Sequence, residues 1–346
     1  MRRRKSMLEC NWPPADLLLW NAAVLPSELF ESNDRASRWR PKTVKQAKYA
    51  YAAWLQHLHD TDPTALQLCA TERVTLDRIQ QYVTSMRGRL SAVGIADALG
   101  HLVLALRAIA PDRDWCWITS IQRKQLAFAP RPDKHPSMVG VEKLVALGTS
   151  LLAKAQSGSD VVDHLSYRDG LIIALLAVRP LRRSNMAGLR LKQHIAVSDN
   201  QVRISFDASE MKGKRDFDCW VPSSLVGPFI HYVTVVRPRF PGAGTHDFVW
   251  CSMKGGALRG GGIYEMIVKR TSREFGKPIY PHRFRDIAAT AIATDRPNQV
   301  RLARDLLGHA NLLTTEKHYL HAESVKGGAH YGALIKSLRK RPVDLG

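Results

Sequence analysis

The segment PRPDKHP, Pro130–Pro136, limits the chain more than any other stretch. It places three prolines in seven residues. Each proline lacks a backbone N–H and displaces the turn before it, so no helix passes through. Charged residues fill the gaps, as in an exposed linker. The chain has 346 residues, and at about 150 residues per domain that allows roughly two domains. Chains of this length bury a core without disulfide or metal staples. The expected organisation is an N-terminal extension 1–34, a helical domain 35–129, the linker 130–136 and a second domain 137–346. No repeat at a fixed period and no low-complexity tract interrupts it.

Apolar residues recur at helical spacing before the linker. Thr43 is placed to cap a helix carrying Val44, Ala47, Tyr51, Trp54, Leu55 and Leu58 on one face. Thr75 is placed to cap a second, burying Leu76, Ile79, Tyr82, Val83 and Met86. Ser91 to Ile109 gives a third, with Ile95, Leu99, Leu102, Val103 and Leu106 on its stripe, and Trp115 to Phe128 a fourth. The leftover faces are basic, with Lys42, Lys45, Lys48, Arg87 and Arg89. Such faces are commonly only solvated. Here they belong to a chain with 51 Lys+Arg against 31 Asp+Glu, a formal net charge of +20. That surplus suits a polyanion, because Lys and Arg displace the counterions condensed on nucleic acid.

After the linker, Val141 to Lys154 and Asp169 to Val178 have the pattern of helices. Gln201 to Phe206, QVRISF, alternates like a half-buried strand, and Phe217 to Val221 is a second strand. Between them KGK, Lys212–Lys214, suits a hairpin turn. Helices resume near Leu225, Ile263, Arg285 and Val300. The expected fold class is mainly α with a small antiparallel β-sheet.

The longest apolar run is Leu171 to Val178. A bilayer-spanning helix needs about 20 apolar residues, so no membrane span is expected. The basic start MRRRKSMLECNWPP is followed by polar residues and prolines where a secretory leader would be apolar. The five cysteines are odd in number and form no C-x-x-C pair. They fit small apolar fillers in a reducing, cytoplasmic setting.

Three segments of the second domain carry the chemistry: AVRPLRRSNMAGLRL (Ala177–Leu191), PHRFRDIAAT (Pro281–Thr290) and LLGHANLLTTEKHYLHA (Leu306–Ala322). Together they resemble the tyrosine recombinase (phage integrase) family. That family has an arginine in a G-L-R-x-S-E-L box, an H-x-x-R box, an L-G-H box and a tyrosine near the C-terminus. Order and rough spacing agree over about 137–346. The helical region before the linker is similar to the family's core-binding domain.

The resemblance implies a role for each of six residues. Displacing a phosphodiester oxygen spreads negative charge over the phosphoryl oxygens. Arg182 and Arg285 would bind those oxygens with planar, permanently charged forks. His282, three residues before Arg285, would share a helical face with it and would hydrogen-bond the phosphate or move a proton. His309 would add a donor. Lys212 would protonate the leaving 5′ oxygen, the family pattern favouring it over Lys214. Tyr319 would be the nucleophile, forming a covalent 3′-phosphotyrosine. The scheme calls for no cofactor and no metal. His309, His318 and His321 have no cysteine or carboxylate cluster beside them to complete a zinc site.

The chain departs from the pattern at four places. Pro180 stands where a glycine is usual, Asn185 replaces the usual glutamate, and Asp286 follows Arg285 where a histidine is common. The His309–Tyr319 spacing is one residue longer than the commonest. Beyond Tyr319, Gly327 and Gly328 would make a hinge before a short helix expected at Tyr331–Leu338, which would pack on its own domain or dock on a neighbouring subunit.

The resemblance implies a site-specific DNA recombinase in which the two domains clamp duplex DNA. Four subunits would act on inverted-repeat sites without ATP, with or without accessory or directionality proteins. Two other readings stay open: a type IB topoisomerase-like relaxing enzyme, and a degenerate family member that only binds DNA.

Overall fold

Proline at the first helical position opens two helices of the N-terminal part, where its missing N–H costs nothing. They are α1 (Pro14–Val24) and α2 (Pro41–Thr61). The computed structural model describes residues 6–26, 36–129, 139–155, 160–211 and 213–295. The linker at 130–136, the helix expected near Val300 and the C-terminal helix at Tyr331–Leu338 lie outside the described residues. The chain divides into two compact units, Met1–Pro132 and Asp133–Gly346.

Helix α2 begins at Pro41, with Arg40 in the cap position, so it starts ahead of the expected cap, Thr43. The other two caps are formed as expected. Thr75 Oγ1 accepts from Arg78 N (3.4 Å) at the start of α3 (Leu76–Met86). Ser91 Oγ accepts from Gly94 N (3.2 Å) at the start of α4 (Ala92–Ile109). Helix α5 (Cys116–Ala127) follows. Leu76 is 52% exposed, not buried, because the buried stripe of α3 starts one turn later at Ile79. Helix α4 is long and apolar enough to cross a membrane by length and composition. Here its Leu99, Leu102, Ala105 and Leu106 pack inside the helical core.

Helix α1 falls within the stretch read as an extension, yet Trp12, Trp20 and Ala23 enter the same core as Tyr51, Trp54 and Leu55. The reason is a buried polar knot. Asp16, on α1, accepts from Tyr51 Oη (2.7 Å) and from the Arg73 guanidinium. Arg73 also donates to the Leu66 and Leu68 carbonyls. Asp16 and Arg73 are each only 1% exposed. Burial and the Asp16 charge hold the Tyr51 phenol well above its ordinary pKa, so it stays a donor.

The second unit is built around α7 (Val161–Val178), which starts eight residues before the expected Asp169. Its early start comes from a capping box between Asp160 and Asp163. From Tyr167 to Ala177 the helix is buried all round, the mark of a central helix. Helix α6 (Val141–Ala155) crosses it at two glycines. A Cβ at Gly170 would lie 2.7 Å from the Gly148 carbonyl oxygen, and one at Gly148 2.7 Å from Ala174 N. Only glycines permit that approach.

Short helices α8 (Arg183–Gly188) and α9 (Leu191–His194) lead into a three-stranded antiparallel sheet. Its strands are β1 (Ile195–Ser198), β2 (Gln201–Phe206) and β3 (Phe217–Trp220). Strand β1 is additional to the two expected. Asp199 and Asn200 join it to β2 with positive φ of 45° and 57°, the backbone of a tight hairpin. The β2–β3 connection is a ten-residue loop, 207–216, broader than the expected turn at KGK. Helices α10 (Ser223–His231), α11 (Gly260–Phe275) and α12 (Arg283–Asp295) complete the described part. The overall class is mainly α with a small antiparallel sheet.

Two substitutions test this packing by chemical denaturation. Gly170→Ala is expected to cost about 1–3 kcal/mol, the usual range for overpacking. Arg73→Leu leaves Asp16 charged and buried, and is expected to cost about 3–5 kcal/mol.

Candidate active site

The end of α7 separates three neighbouring arginines. Arg179 turns to the sheet, where Nε donates to the Trp220 carbonyl (3.1 Å). Pro180 and Leu181 are buried and bend the chain. Arg182 caps α8, its carbonyl accepting from Met186 N (2.9 Å), and its side chain is half-buried. Arg183 is exposed, and its guanidinium lies 5.5 Å over the Tyr264 ring centroid.

Helix α12 brings the second arginine to the same place. Phe284, Ile287 and Ala288 are buried and fix the helix against the core of the second unit. Arg285 lies between them in sequence and is half-buried. Its Nη1 donates to the Pro180 carbonyl (2.5 Å), in the bend just before Arg182. Burial, and then the Arg182 charge, pull the Arg285 guanidinium down to about 10, with Asp286 opposing. At neutral pH it stays protonated. Two like charges therefore act on one another in a partly dry setting. Asp286 is drawn to Arg283, whose Nη1 donates to its Oδ2 (3.0 Å).

His282 is exposed and precedes the first residue of α12, so it does not share a helical face with Arg285 as expected. It acts as the head of the helix, its carbonyl accepting from Arg285 N (3.2 Å) and Asp286 N (3.4 Å). The loop that delivers it is anchored by Thr271, whose Oγ1 accepts from Ile279 N (2.9 Å) and donates to Ile267 O (2.8 Å). Gly276 ends α11 with φ of 68°, a left-handed turn that glycine takes without strain.

The loop carrying KGK is tied to the first box on its leading side. Asn185, buried, donates from Nδ2 to Met211 Sδ (3.0 Å). His194 Nδ1 accepts a hydrogen bond from Arg190 N (2.9 Å), so Nε2 carries the hydrogen that it donates to Glu210 Oε1 (2.9 Å). Gln193 Nε2 reaches the same carboxylate (3.3 Å). Lys214 is exposed with φ of 50°. Lys212, His309 and Tyr319 lie outside the described residues. Of the six candidates, then, Arg285 reaches the bend just before Arg182, with His282 three residues before Arg285. Among the described residues no group of His, Cys, Asp or Glu side chains could hold a metal ion.

Residues 149–325 match the phage integrase family, just over half of the 346-residue chain, and all six candidate positions fall inside that span. Similar curated proteins include a tyrosine recombinase XerC from Pseudomonas syringae pv. syringae, 26% identical over 196 residues covering 53% of this chain and 60% of that protein. Another XerC, from Staphylococcus aureus, is 30% identical over 162 residues, covering 46% and 50%. A tyrosine recombinase XerD from Chlorobaculum tepidum is 24% identical over 183 residues, covering 52% and 56%. The chain thus matches about 60% or less of the length of these relatives. Among solved structures, XerA recombinase is similar at 15% identity with a TM-score of 0.40, covering 88% of this chain and 93% of that one. The matched span, with the arginine box and the H-x-x-R box inside it, makes this chain a member of the phage integrase family.

Proposed function

We propose that this chain is a site-specific DNA recombinase that cuts and rejoins strands through a covalent phosphotyrosine, acting on duplex DNA in the cytoplasm. The observation that carries this reading is the bond from Arg285 Nη1 to the Pro180 carbonyl, which joins the two arginine-bearing boxes within the family-matching segment. Two arginine-bearing segments brought to one place suit an anion, since guanidinium forks match phosphate oxygens. The anion available to a chain of net charge +20 is a nucleic-acid phosphate.

In the proposed step, the Tyr319 oxygen attacks the phosphorus and the bond to the 5′ oxygen breaks. The phenolic proton passes to His282, and Lys212 gives a proton to the departing 5′ oxygen. Arg182, Arg285 and His309 bind the phosphoryl oxygens as charge builds on them. The bond energy stays in the phosphotyrosine, so attack by a 5′ hydroxyl reverses the step on a new partner strand. Two sites, each with inverted repeats, would be held by four subunits, with accessory or directionality proteins where the exchange requires them. Residues 35–129 would supply the second DNA-binding surface, joined through 130–136 to the catalytic part at 137–346.

A second reading, a family member that binds DNA without cutting, has Asn185 and Asp286 in its favour. Asp286 offsets part of the Arg285 environment. Asn185 makes neutral contacts, donating to Met211 Sδ and accepting from Ser184 Oγ. Covalent capture separates the two readings. Protein incubated with fragmented source DNA and then denatured is expected to retain a small set of inverted-repeat fragments, absent with Tyr319→Phe. Scattered fragments would indicate a topoisomerase, and reversible binding alone a non-cutting member.

The charge pair gives a further expectation that needs no DNA. Lowering of the Arg285 pKa means the folded state holds this charge at a cost that is fully present at neutral pH and fades only as pH rises through about 10. Inorganic phosphate should relieve it. At tenfold over its dissociation constant, phosphate should stabilise the wild type by about 1.4 kcal/mol. Arg285→Gln should lose most of that increment in a thermal-shift titration. An equal increment in both proteins would contradict an anion site there.

A further inference from the structure

His282 is one end of a column of stacked groups drawn from three parts of the second unit. Its imidazole lies parallel to the Tyr280 ring, with centroids 6.0 Å apart and planes 2° apart. Tyr280 lies nearly parallel to Tyr264 on α11, at 5.8 Å and 14°. The Arg183 guanidinium, from the first residue of α8, covers Tyr264 from 5.5 Å. All these separations fall within the range of attractive ring and cation–ring contacts. The Arg183 side chain runs beside Gly260, where an added Cβ would stand 3.6 Å from its Nε.

This column is not part of the apolar core. Neither tyrosine belongs to the core cluster or to the side chains packed against it. Both rings are half-exposed, and the two ends, Arg183 and His282, are exposed. Nor is there room for a nucleobase between the layers, since insertion needs about 7 Å, twice the 3.4 Å stacking distance. What the column does provide is a fixed plane for an otherwise exposed imidazole. A parallel stack hinders rotation of the histidine ring out of that plane. The loop that holds Tyr280 is itself anchored one residue earlier, at Ile279, by Thr271.

We propose that Tyr280, backed by Tyr264 and Arg183, is a positioning residue that sets the plane of the His282 imidazole for the strand-cleavage step. Its part in cleavage rests on the function proposed above, whereas its hold on the ring does not. The aromatic face carries the role, and the phenolic hydroxyl does not. Phenylalanine should therefore serve at 280, and an aliphatic residue should not. Fixing a reacting group before substrate binds raises the rate of the chemical step with little effect on affinity.

The test uses the full chain in two measurements. The first is NMR of the histidine ring protons, with the His282 signals assigned through His282→Gln. In the wild type the Tyr280 ring current should displace them. Tyr280→Leu should abolish the displacement and Tyr280→Phe should keep it. The second is single-turnover cleavage of a DNA fragment recovered by covalent capture, beside its binding affinity. Tyr280→Leu should slow cleavage about tenfold with affinity held within about twofold, and Tyr280→Phe should restore the rate. Tyr264→Leu, one layer further away, should act in the same direction but less, and it replaces Tyr280→Leu if that variant fails to fold. Unchanged His282 signals in the leucine variants would overturn the proposal, as would wild-type cleavage despite a lost displacement. Should the wild type capture no DNA at all, the recombinase reading falls. The NMR comparison then decides alone whether Tyr280 holds the ring.

Discussion

The bond from Arg285 Nη1 to the Pro180 carbonyl is the contact around which the arginine-bearing segments of the second unit are arranged. It draws α12 to the bend just before Arg182, whose charge acts on the Arg285 guanidinium. Arg182 stands at the head of α8, whose Asn185 and Met186 are buried, as is Leu189 just after it. Arg285 is held by a bond to the Pro180 carbonyl and by the burial of its neighbours Phe284 and Ile287. The apolar core thus sets where both arginine-bearing segments lie.

Helix α7 is the shared support. Its C-terminal end leads into the bend at Pro180, and its buried faces receive α6, through Gly148 and Gly170, and α12. Its N-terminal half is locked by a charged network. Asp169 accepts from Arg168 (2.7 Å) on one oxygen and from Arg270 of α11 (2.9 Å) on the other. Arg168 donates onward to the Cys251 carbonyl (2.7 Å). Buried charges paired this completely fix the register of the elements that carry them. One helix therefore registers α11, which bears Tyr264, as well as the arginine box.

Much of this was legible in the sequence, for reasons that differ by residue. The helical stripes of α2, α3 and α4 follow from amphipathic spacing, and Thr75 and Ser91 mark their own helix starts. Alternation in QVRISF gives β2. Strand β1 is harder, because three of its four residues are exposed and leave no alternating pattern. Only the Asp199–Asn200 pair hints at its turn. Pro14 and Pro41, placed at first helical positions, are start signals that a capping threonine at 43 obscures. The arginine and histidine boxes are readable as residue types at a spacing. That Arg179 faces the sheet while Arg182 approaches Arg285 is a property of the bend and of no local pattern. The stacked column was equally hidden. Tyr264 and Tyr280 are 16 residues apart in sequence, and only the adjacency of tyrosine, proline and histidine at 280–282 hints at a contact.

The bond from Arg285 to Pro180 ends on a main-chain oxygen. A carbonyl at that point accepts a proton equally well whatever side chain the residue carries, provided the bend is kept. Mutation cannot delete this partner as it could a glutamate or serine. Position 180 is therefore buffered against sequence drift. A proline, which fixes φ and favours extended backbone before it, can replace the family's usual glycine without disturbing the acceptor. A departure that looks severe in a motif comparison is, for this contact, silent.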